Sequence, residues 1–390
     1  MKKSAFYLPL IVLLLTGCGR YVSDLQSAKC NSTEATAPDY TKGNELEKLL
    51  EQLTQRGVPG VAIAVQSNDV FWSSAKGYSK IEDKTPMQVC HLQYLQSISK
   101  TYMSVAILKL AEQGKIDLDS PMTNYLPEKY NHYIKTAEKV TVRMLLNHTS
   151  GLPEYNFQPA YVSYFLQHPD HYFTTEDYLG YIKGKDLVFT PGTKHVYTNT
   201  NYEILALIGD FLTGDHARFI SETIFKPLGL ANTFYRNEGG YLQYDLLPNS
   251  YWDRFSNGIV ENVSLMQRTN VSTLIGDDGI VTTPAEAVKF LKGLADGKLL
   301  SANSMHQMQT WVNNKDGKPV YGLGLGYKKI EGVTGYGHSG GGIGAGCELY
   351  YFPEKNLCYF IAINLGTVTE SPLHAELGRT LEKLHEVLLR

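Results

Sequence analysis

The chain has 390 residues, enough for one large domain or two. Hydrophobic residues at 43% against 19% charged exclude a disordered chain and supply a buried core. With 36 basic residues against 39 acidic and a net charge of −3, no basic excess exists to hold a phosphate backbone, which argues against nucleic acid as a partner.

Met1-Lys2-Lys3 is a basic start, followed by an apolar run from Ala5 to Leu15. At about ten residues the run falls short of the ~20 that a spanning helix needs, and it reads as a secretory h-region. The ending Leu15-Thr16-Gly17-Cys18 resembles a bacterial lipobox, in which cleavage before the cysteine leaves that cysteine to carry lipid. This predicts a lipoprotein signal peptide over 1–17, lipidation at Cys18, and a membrane-anchored product on the periplasmic or extracytoplasmic face of the envelope. Removing residues 1–17 takes Lys2 and Lys3 and no acid, so the net charge falls from −3 to −5. Residues 18–40 are polar and aperiodic, the pattern of a tether. A single domain is expected over 41–390.

Besides Cys18 the chain has Cys30, Cys90, Cys347 and Cys358, and an oxidising compartment permits disulfides among them. In a hairpin turning at Pro353-Glu354-Lys355-Asn356, Phe352 faces Leu357 and Cys347 faces Ala362. Cys347 and Cys358 are then four residues out of register, roughly 13 Å apart at ~3.3 Å per residue, and no bridge is expected between them. Their spacing matches no zinc pattern either.

Leu46, Leu49, Leu50 and Leu53 recur at helical spacing, an amphipathic helix closed near Gly57-Val58-Pro59. Residues 61–65 and 70–75 alternate as two strands around a Ser67-Asn68-Asp69 turn. From about 97 to 310 the periodicity is mostly helical, with one helix from Ser97 to Gln113 stopped by Gly114 and another from Asn201 to Leu212 stopped by Gly214. Tyrosines crowd residues 155–181, which read as a surface subregion with packing favoured over binding. Strand signals return at 323–330, 347–352 and 357–363. A closing helix carries Leu373, Leu377, Leu381, Leu384 and Leu388 on one stripe. The predicted fold class is α+β: an antiparallel sheet built from N- and C-terminal segments, flanked by the terminal helices, with a large helical region inserted between its halves.

Three short motifs can carry chemistry. Ser97-Ile98-Ser99-Lys100 opens the first long helix, so the Lys100 amine shares a face with the Ser97 hydroxyl and can take its proton. A serine at a helix start is otherwise an N-cap. Tyr197-Thr198-Asn199 follows Pro191-Gly192 and precedes a helix. Tyr197 can present a phenol able to relay a proton if a nearby lysine depresses its pKa, while Asn199 or Thr200 supplies a cap in the plainer reading. His338-Ser339-Gly340 lies in a glycine-rich stretch, 335–342, that either lets a substrate chain lie along an edge or is a turn with a solvated histidine.

Taken together and in this order, Ser-x-x-Lys, Tyr-x-Asn and His-Ser-Gly resemble the serine β-lactamase and penicillin-binding DD-peptidase superfamily. The closest likeness is to its class C β-lactamase-like branch, which includes D-alanyl-D-alanine carboxypeptidases and esterases. Leu145-Leu146-Asn147-His148-Thr149-Ser150-Gly151-Leu152 matches the LL-x-HTSGL segment, Phe225-Lys226-Pro227-Leu228-Gly229-Leu230 the PLGM segment, and Tyr321-Gly322-Leu323-Gly324 the YGLGW-like strand entry. The resemblance implies Ser97 as acylated nucleophile, Lys100 as proton acceptor or charge partner, and Tyr197 as general base and acid. It implies Asn199, His338, Ser339, Gly340 and Gly341 as substrate-binding positions, with the Ser97 and Gly341 N–H groups as oxyanion donors. His148 and Ser150 belong to a structural segment. No metal and no cofactor are implied. The expected partner is a peptidoglycan stem, a β-lactam or an ester.

The chain departs from the family at His338, where relatives carry a lysine. An imidazole titrating near neutrality is expected to hold a substrate carboxylate less firmly. Asp277 and Asp278 occupy a turn that is glycine-rich in relatives; they either stand near the end of the cleft, where they disfavour anionic substrates, or form a helix-capping surface turn, the reading preferred here. Two rivals stand. Gly337-His338-Ser339-Gly340-Gly341 satisfies the G-x-S-x-G elbow of α/β-hydrolases, but that motif must join a strand to a helix and here a strand follows. The non-enzyme alternative is a catalytically slow lipoprotein that binds penicillin or peptidoglycan without release. A metal site at His168-Pro169-Asp170-His171 is set aside as a surface cluster.

Overall fold

The computed structural model describes residues 28, 30, 40–131, 133–235 and 245–390. The signal peptide and Cys18 lie outside these residues. Helix α1 (Gly43–Gln55) is followed by strands β1 (Gly60–Ser67), β2 (Val70–Lys80) and the short β3 (Thr85–Pro86). At the other end come β4 (Val312–Asn313), β5 (Pro319–Tyr321), β6 (Gly326–Ile330), β7 (Val333–Gly341), β8 (Gly346–Phe352) and β9 (Leu357–Ile363), then the long helix α5 (Pro372–Leu389). Among the described residues these nine strands form one sheet in the order β3-β2-β1-β9-β8-β7-β6-β5-β4. Its seam is β1 against β9, antiparallel from Val61↔Ile363 to Ser67↔Leu357. The two ends of the chain thus meet in one ladder, as the sequence pattern predicts.

Strand alternation sorts the two faces. Val61, Ile63, Val65, Ile361 and Ile363 point to one side and pack with Leu46, Leu50, Leu53, Leu384 and Leu388 of α1 and α5. Each such leucine contributes about 1.5–3 kcal/mol by leaving water. Ala64, Leu349, Phe360 and Ala362 face the inserted region, the larger core. That region contributes α2 (Ser99–Glu112), α3 (Thr200–Thr213) and α4 (Pro284–Ala295). Small alanines on β1 and β9 leave room for α4, while Tyr102 of α2 stacks on Phe290 of α4 with centroids 3.4 Å apart. Gly214 ends α3 with a left-handed φ of 82° as expected.

Four expectations change. The inserted region also holds short strands: 93–94, 233–235 and 280–282 form a small sheet, and 251–252 pairs with 261–262. The tyrosine-dense stretch is not mainly surface: Tyr155, Tyr161 and Tyr178 are core residues stacked among Phe165 and Phe173, although Tyr172 is exposed. The glycine-rich stretch 335–342, left open between an edge and a turn, lies almost wholly in a nine-residue strand, 333–341. Gly337 is needed there because a Cβ would lie 2.0 Å from the Leu349 carbonyl oxygen. Finally, residues 28 and 30 do not belong to a free tether. Cys30 is bonded to Cys90, its N–H donates to Gln88 Oε1 (3.0 Å), and Ala28 N–H donates to the Asp245 carbonyl (2.7 Å).

The hairpin register is as derived, with Phe352↔Leu357 and Cys347↔Ala362, and Cys347 and Cys358 are free and buried. A body beginning at residue 19 should therefore show no rapidly reacting thiol when native. It should show two on denaturation and four after reduction, counted with a chromogenic disulfide reagent. Two fast-reacting native thiols would contradict this packing.

Candidate active site

Ser97 lies in a single 3₁₀ turn, Gln96–Ile98, that leads into α2. Its side chain caps nothing; the plainer N-cap reading does not hold. Instead the hydroxyl stands 3.0 Å from Lys100 Nζ, one turn on. Tyr197 stands beside this pair: Lys100 Nζ lies 5.2 Å from its ring centroid, and the Ser97 hydroxyl is near enough to lower the phenol's pKa. The structure thus brings together the three residues that the sequence singled out as catalytic. Gln96, just before Ser97, has a φ of +49°, a costly backbone for a non-glycine residue. The chain is forced into that corner because β7 presses on it: a Cβ on Gly340 would lie 2.5 Å from the Leu95 carbonyl. Only glycine allows this approach.

Lys100 is completely buried, and its Nζ also donates to the Asp277 carbonyl (2.7 Å). Burial pushes its pKa down, opposed by the charges of Asp277, Asp278, Glu154 and Glu203. The expectation of a surface turn at Asp277-Asp278 is overturned: both residues are buried. Desolvation raises both carboxyls, Asp278 to about 7, and Glu154 is raised for the same reason. Tyr197 is 37% exposed as a residue, yet its phenol end is enclosed. Its pKa is raised well above the usual value by desolvation, which outweighs the lowering hydrogen bond from Ser97; Asp277, Glu154 and Asp278 add to the rise. The lysine-depressed phenol expected from sequence is not what the site holds: burial dominates, and the resting group is a protonated phenol.

His338 requires the largest correction. It is buried, and both ring nitrogens are committed: Nδ1–H donates to the Ser339 carbonyl (2.6 Å), and Nε2 accepts from the Tyr321 hydroxyl (2.8 Å). Desolvation, with the Lys100 charge, drives its pKa down to about 3. It does not switch charge near neutrality and offers no cation to a substrate carboxylate. Ser339 is corrected too. It pairs with Glu348 on the sheet face turned toward α5, opposite His338, which pairs with Leu349 of the inner core. Its side chain lines a cavity of about 310 Å³ with Glu348, Thr367 and Leu381. In mid-strand and turned away from Lys100, it cannot be a nucleophile elbow.

Gly340 and Gly341 lie where β7 runs past its partner. The ladder with β6 ends at Gly326↔Gly337, so among the described residues His338–Gly341 pair with β8 alone, and the other edge is left open. Asn199 takes the N-cap position of α3 without using its side chain there; its N–H donates to Glu154 Oε2 (2.6 Å). Thr200 Oγ1 donates to the Pro153 carbonyl (2.8 Å). Ser150 donates to Asn201 Oδ1 (2.6 Å), in keeping with a structural segment. The sequence reading missed Tyr321 as the partner of His338 and Glu154 as a neighbour of Lys100. Tyr321 becomes legible only once residues 333–341 are recognised as a strand, and nothing in the local pattern marks Glu154. Among the described residues no cluster of three or more potential metal ligands occurs, and none of the helices is long and apolar enough to cross a membrane.

A profile of the family described as Beta-lactamase matches residues 46–379. A penicillin-binding protein of Bacillus subtilis (strain 168) is 26% identical over 302 residues, 73% of this chain and 63% of that protein. The chain thus spans less than two thirds of that relative's length. In structure it is similar to a D-stereospecific amidohydrolase from Streptomyces sp., with a TM-score of 0.75 and 26% identity, covering 84% of this chain and 95% of the other. It shares its fold with the D-amino acid amidase from Ochrobactrum anthropi SV3, with a TM-score of 0.77 and 23% identity over 89% and 98% of the two chains.

The His338 geometry makes a direct prediction. In a ¹⁵N-labelled protein its ring should stay in the neutral Nδ1–H form from pH 8 down to about 4.5. Because the folded pKa of about 3 lies below the unfolded value, the neutral ring's contribution to stability is present above about pH 6.5. It is lost as the pH falls towards 3. A titration midpoint near 6.5 would refute the assignment.

Proposed function

The chain belongs to the beta-lactamase family, and on that premise we propose that it is a serine hydrolase attacking an amide or ester carbonyl through an acyl-enzyme on Ser97. The observation that carries this reading is the Ser97 hydroxyl, held 3.0 Å from the buried Lys100 amine, whose Nζ lies 5.2 Å from the Tyr197 ring centroid. The two neighbours are displaced in opposite senses. Burial moves Lys100 toward the amine and Tyr197 toward the phenol. Such a split supports a division of roles in which Lys100 takes the Ser97 proton as the oxygen attacks and Tyr197 gives its proton to the leaving group. This refines the sequence expectation, which gave Tyr197 both duties. The N–H groups of Ser97 and Gly341 would steady the oxyanion, each donor typically worth about a hundred- to a thousandfold in rate. Asn199 and the open edge of β7 would hold the acyl part of the substrate.

A neutral His338 and four carboxyls around Lys100 favour substrates without a carboxylate beside the scissile bond. The likeness to a D-stereospecific amidohydrolase supports a D-configured amide ahead of β-lactams. We place the mature protein at the cell envelope, anchored through lipid on Cys18, on the strength of Leu15-Thr16-Gly17-Cys18.

Intact-mass measurement tests the nucleophile. A fluorophosphonate should add to the wild type and to Ser339→Ala but not to Ser97→Ala, and Ser97→Ala should lose about a thousandfold or more in kcat on a neutral ester. Labelling that vanishes in Ser339→Ala alone would reject the assignment. D-phenylalanine amide should be cleaved with a higher kcat/KM than its N-succinyl derivative; the reverse order would exclude the proposed charge preference. Cys18→Ser should abolish the acyl mass and shift the protein out of the membrane fraction, and unchanged retention would remove the lipid anchor.

A further inference from the structure

His148 has no exposed surface, and desolvation with the Lys100 charge holds its pKa well below the ordinary value. Its contacts converge on one neighbour. The His148 carbonyl accepts the N–H of Val196 (3.0 Å), and its Nδ1 accepts the N–H of Thr198 (3.3 Å). Between those two residues stands Tyr197, whose ring centroid is 4.2 Å from the imidazole. The tautomer is fixed independently. Asn201 Oδ1 accepts from Ser150, so Asn201 Nδ2, 3.1 Å from His148 Nδ1, is a donor, and the His148 proton sits on Nε2. The backbone of His148 is left-handed, with a φ of +58°, a conformation kept where the surroundings over-determine it.

We propose that His148 is a positioning residue that clamps the Tyr197 phenol over the Ser97 hydroxyl. Bulk alone would fill the space. Main-chain bonds to residues 196 and 198, together with a ring against 197, restrict one side chain from three directions. Without the Nδ1 acceptor the buried N–H of Thr198 loses its partner and the loop can relax. Proton transfer is sensitive to such a displacement because donor and acceptor must stay within hydrogen-bond reach. This inference rests on Tyr197 as the acid that serves the leaving group.

The experiment uses two esters of one acyl group. p-Nitrophenyl butyrate releases a stable anion that needs no proton, whereas ethyl butyrate must have its alkoxide protonated. kcat/KM reports acylation for both. Tyr197→Phe comes first: it should slow the ethyl ester far more than the nitrophenyl ester, and equal rates on both would remove the Tyr197 reading itself, with the inference falling alongside it. His148→Ala should reproduce the pattern, losing about tenfold or more on the ethyl ester and within about threefold on the nitrophenyl ester. Asparagine tolerates a left-handed backbone and offers an oxygen to Thr198 N–H, so His148→Asn should recover most of the ethyl ester rate and give a folded comparison if the alanine variant is unstable. Adding His148→Ala to Tyr197→Phe should cost little more. With Tyr197→Phe behaving as expected, equal losses on both esters in His148→Ala, or full additivity in the double variant, would overturn the positioning role.

Discussion

A primary amine with none of its surface exposed is the constraint around which the rest of the site is arranged. Removing an ammonium from water costs on the order of several kcal/mol even after relaxation, so Lys100 needs either counter-charge or loss of its proton. The fold supplies a balance of the two. Asp277, Asp278, Glu154 and Glu203 surround the amine, yet the buried Asp277 and Asp278, and the half-buried Glu154, are pushed toward their acid forms. Protons in such a group are shared among the members, and no one pKa belongs to one residue alone. The acids are fixed to the scaffold as firmly as the lysine is. A Cβ on Gly276 would lie 2.2 Å from the Tyr202 carbonyl, so the turn that carries Asp277 lies flush on α3.

The same tightness explains why the site lies between two halves of the chain. Ser97 and Lys100 come from the start of α2, Tyr197 from the approach to α3, and β7 from the last third of the sequence. Only the β1–β9 seam, which brings the terminal strands into one ladder, places β7 beside residue 97. Gly340 then sets the separation. The strained backbone at Gln96 is held in place from both sides, by the helix that follows and by the strand that presses on it.

The parts of this arrangement that were legible in the sequence are those governed by period and register. Leu46 to Leu53 and Leu373 to Leu388 announce amphipathic helices, and the hairpin at residues 353–356 fixes the distance between Cys347 and Cys358 before any coordinates are known. Ser97, Lys100 and Tyr197 were legible through spacing, and the structure places them side by side. What failed was anything decided by long-range burial. Two adjacent aspartates look like a solvated turn, and a histidine in a glycine run looks solvated, because sequence does not carry desolvation. Glycine's low strand propensity likewise concealed β7, although its glycines are there to admit neighbours rather than to turn the chain.

If lipid is attached at Cys18 as proposed, the Cys30–Cys90 bond has a mechanical consequence. An extended chain covers at most about 3.4 Å per residue. With the bond closed, such a leash would end at residue 30 and the body could sit no more than roughly 40 Å above the bilayer; were it to run free to residue 40, the ceiling would rise to roughly 75 Å. On that proposal the disulfide would act as an altitude stop, keeping the candidate site within a thin shell next to the membrane.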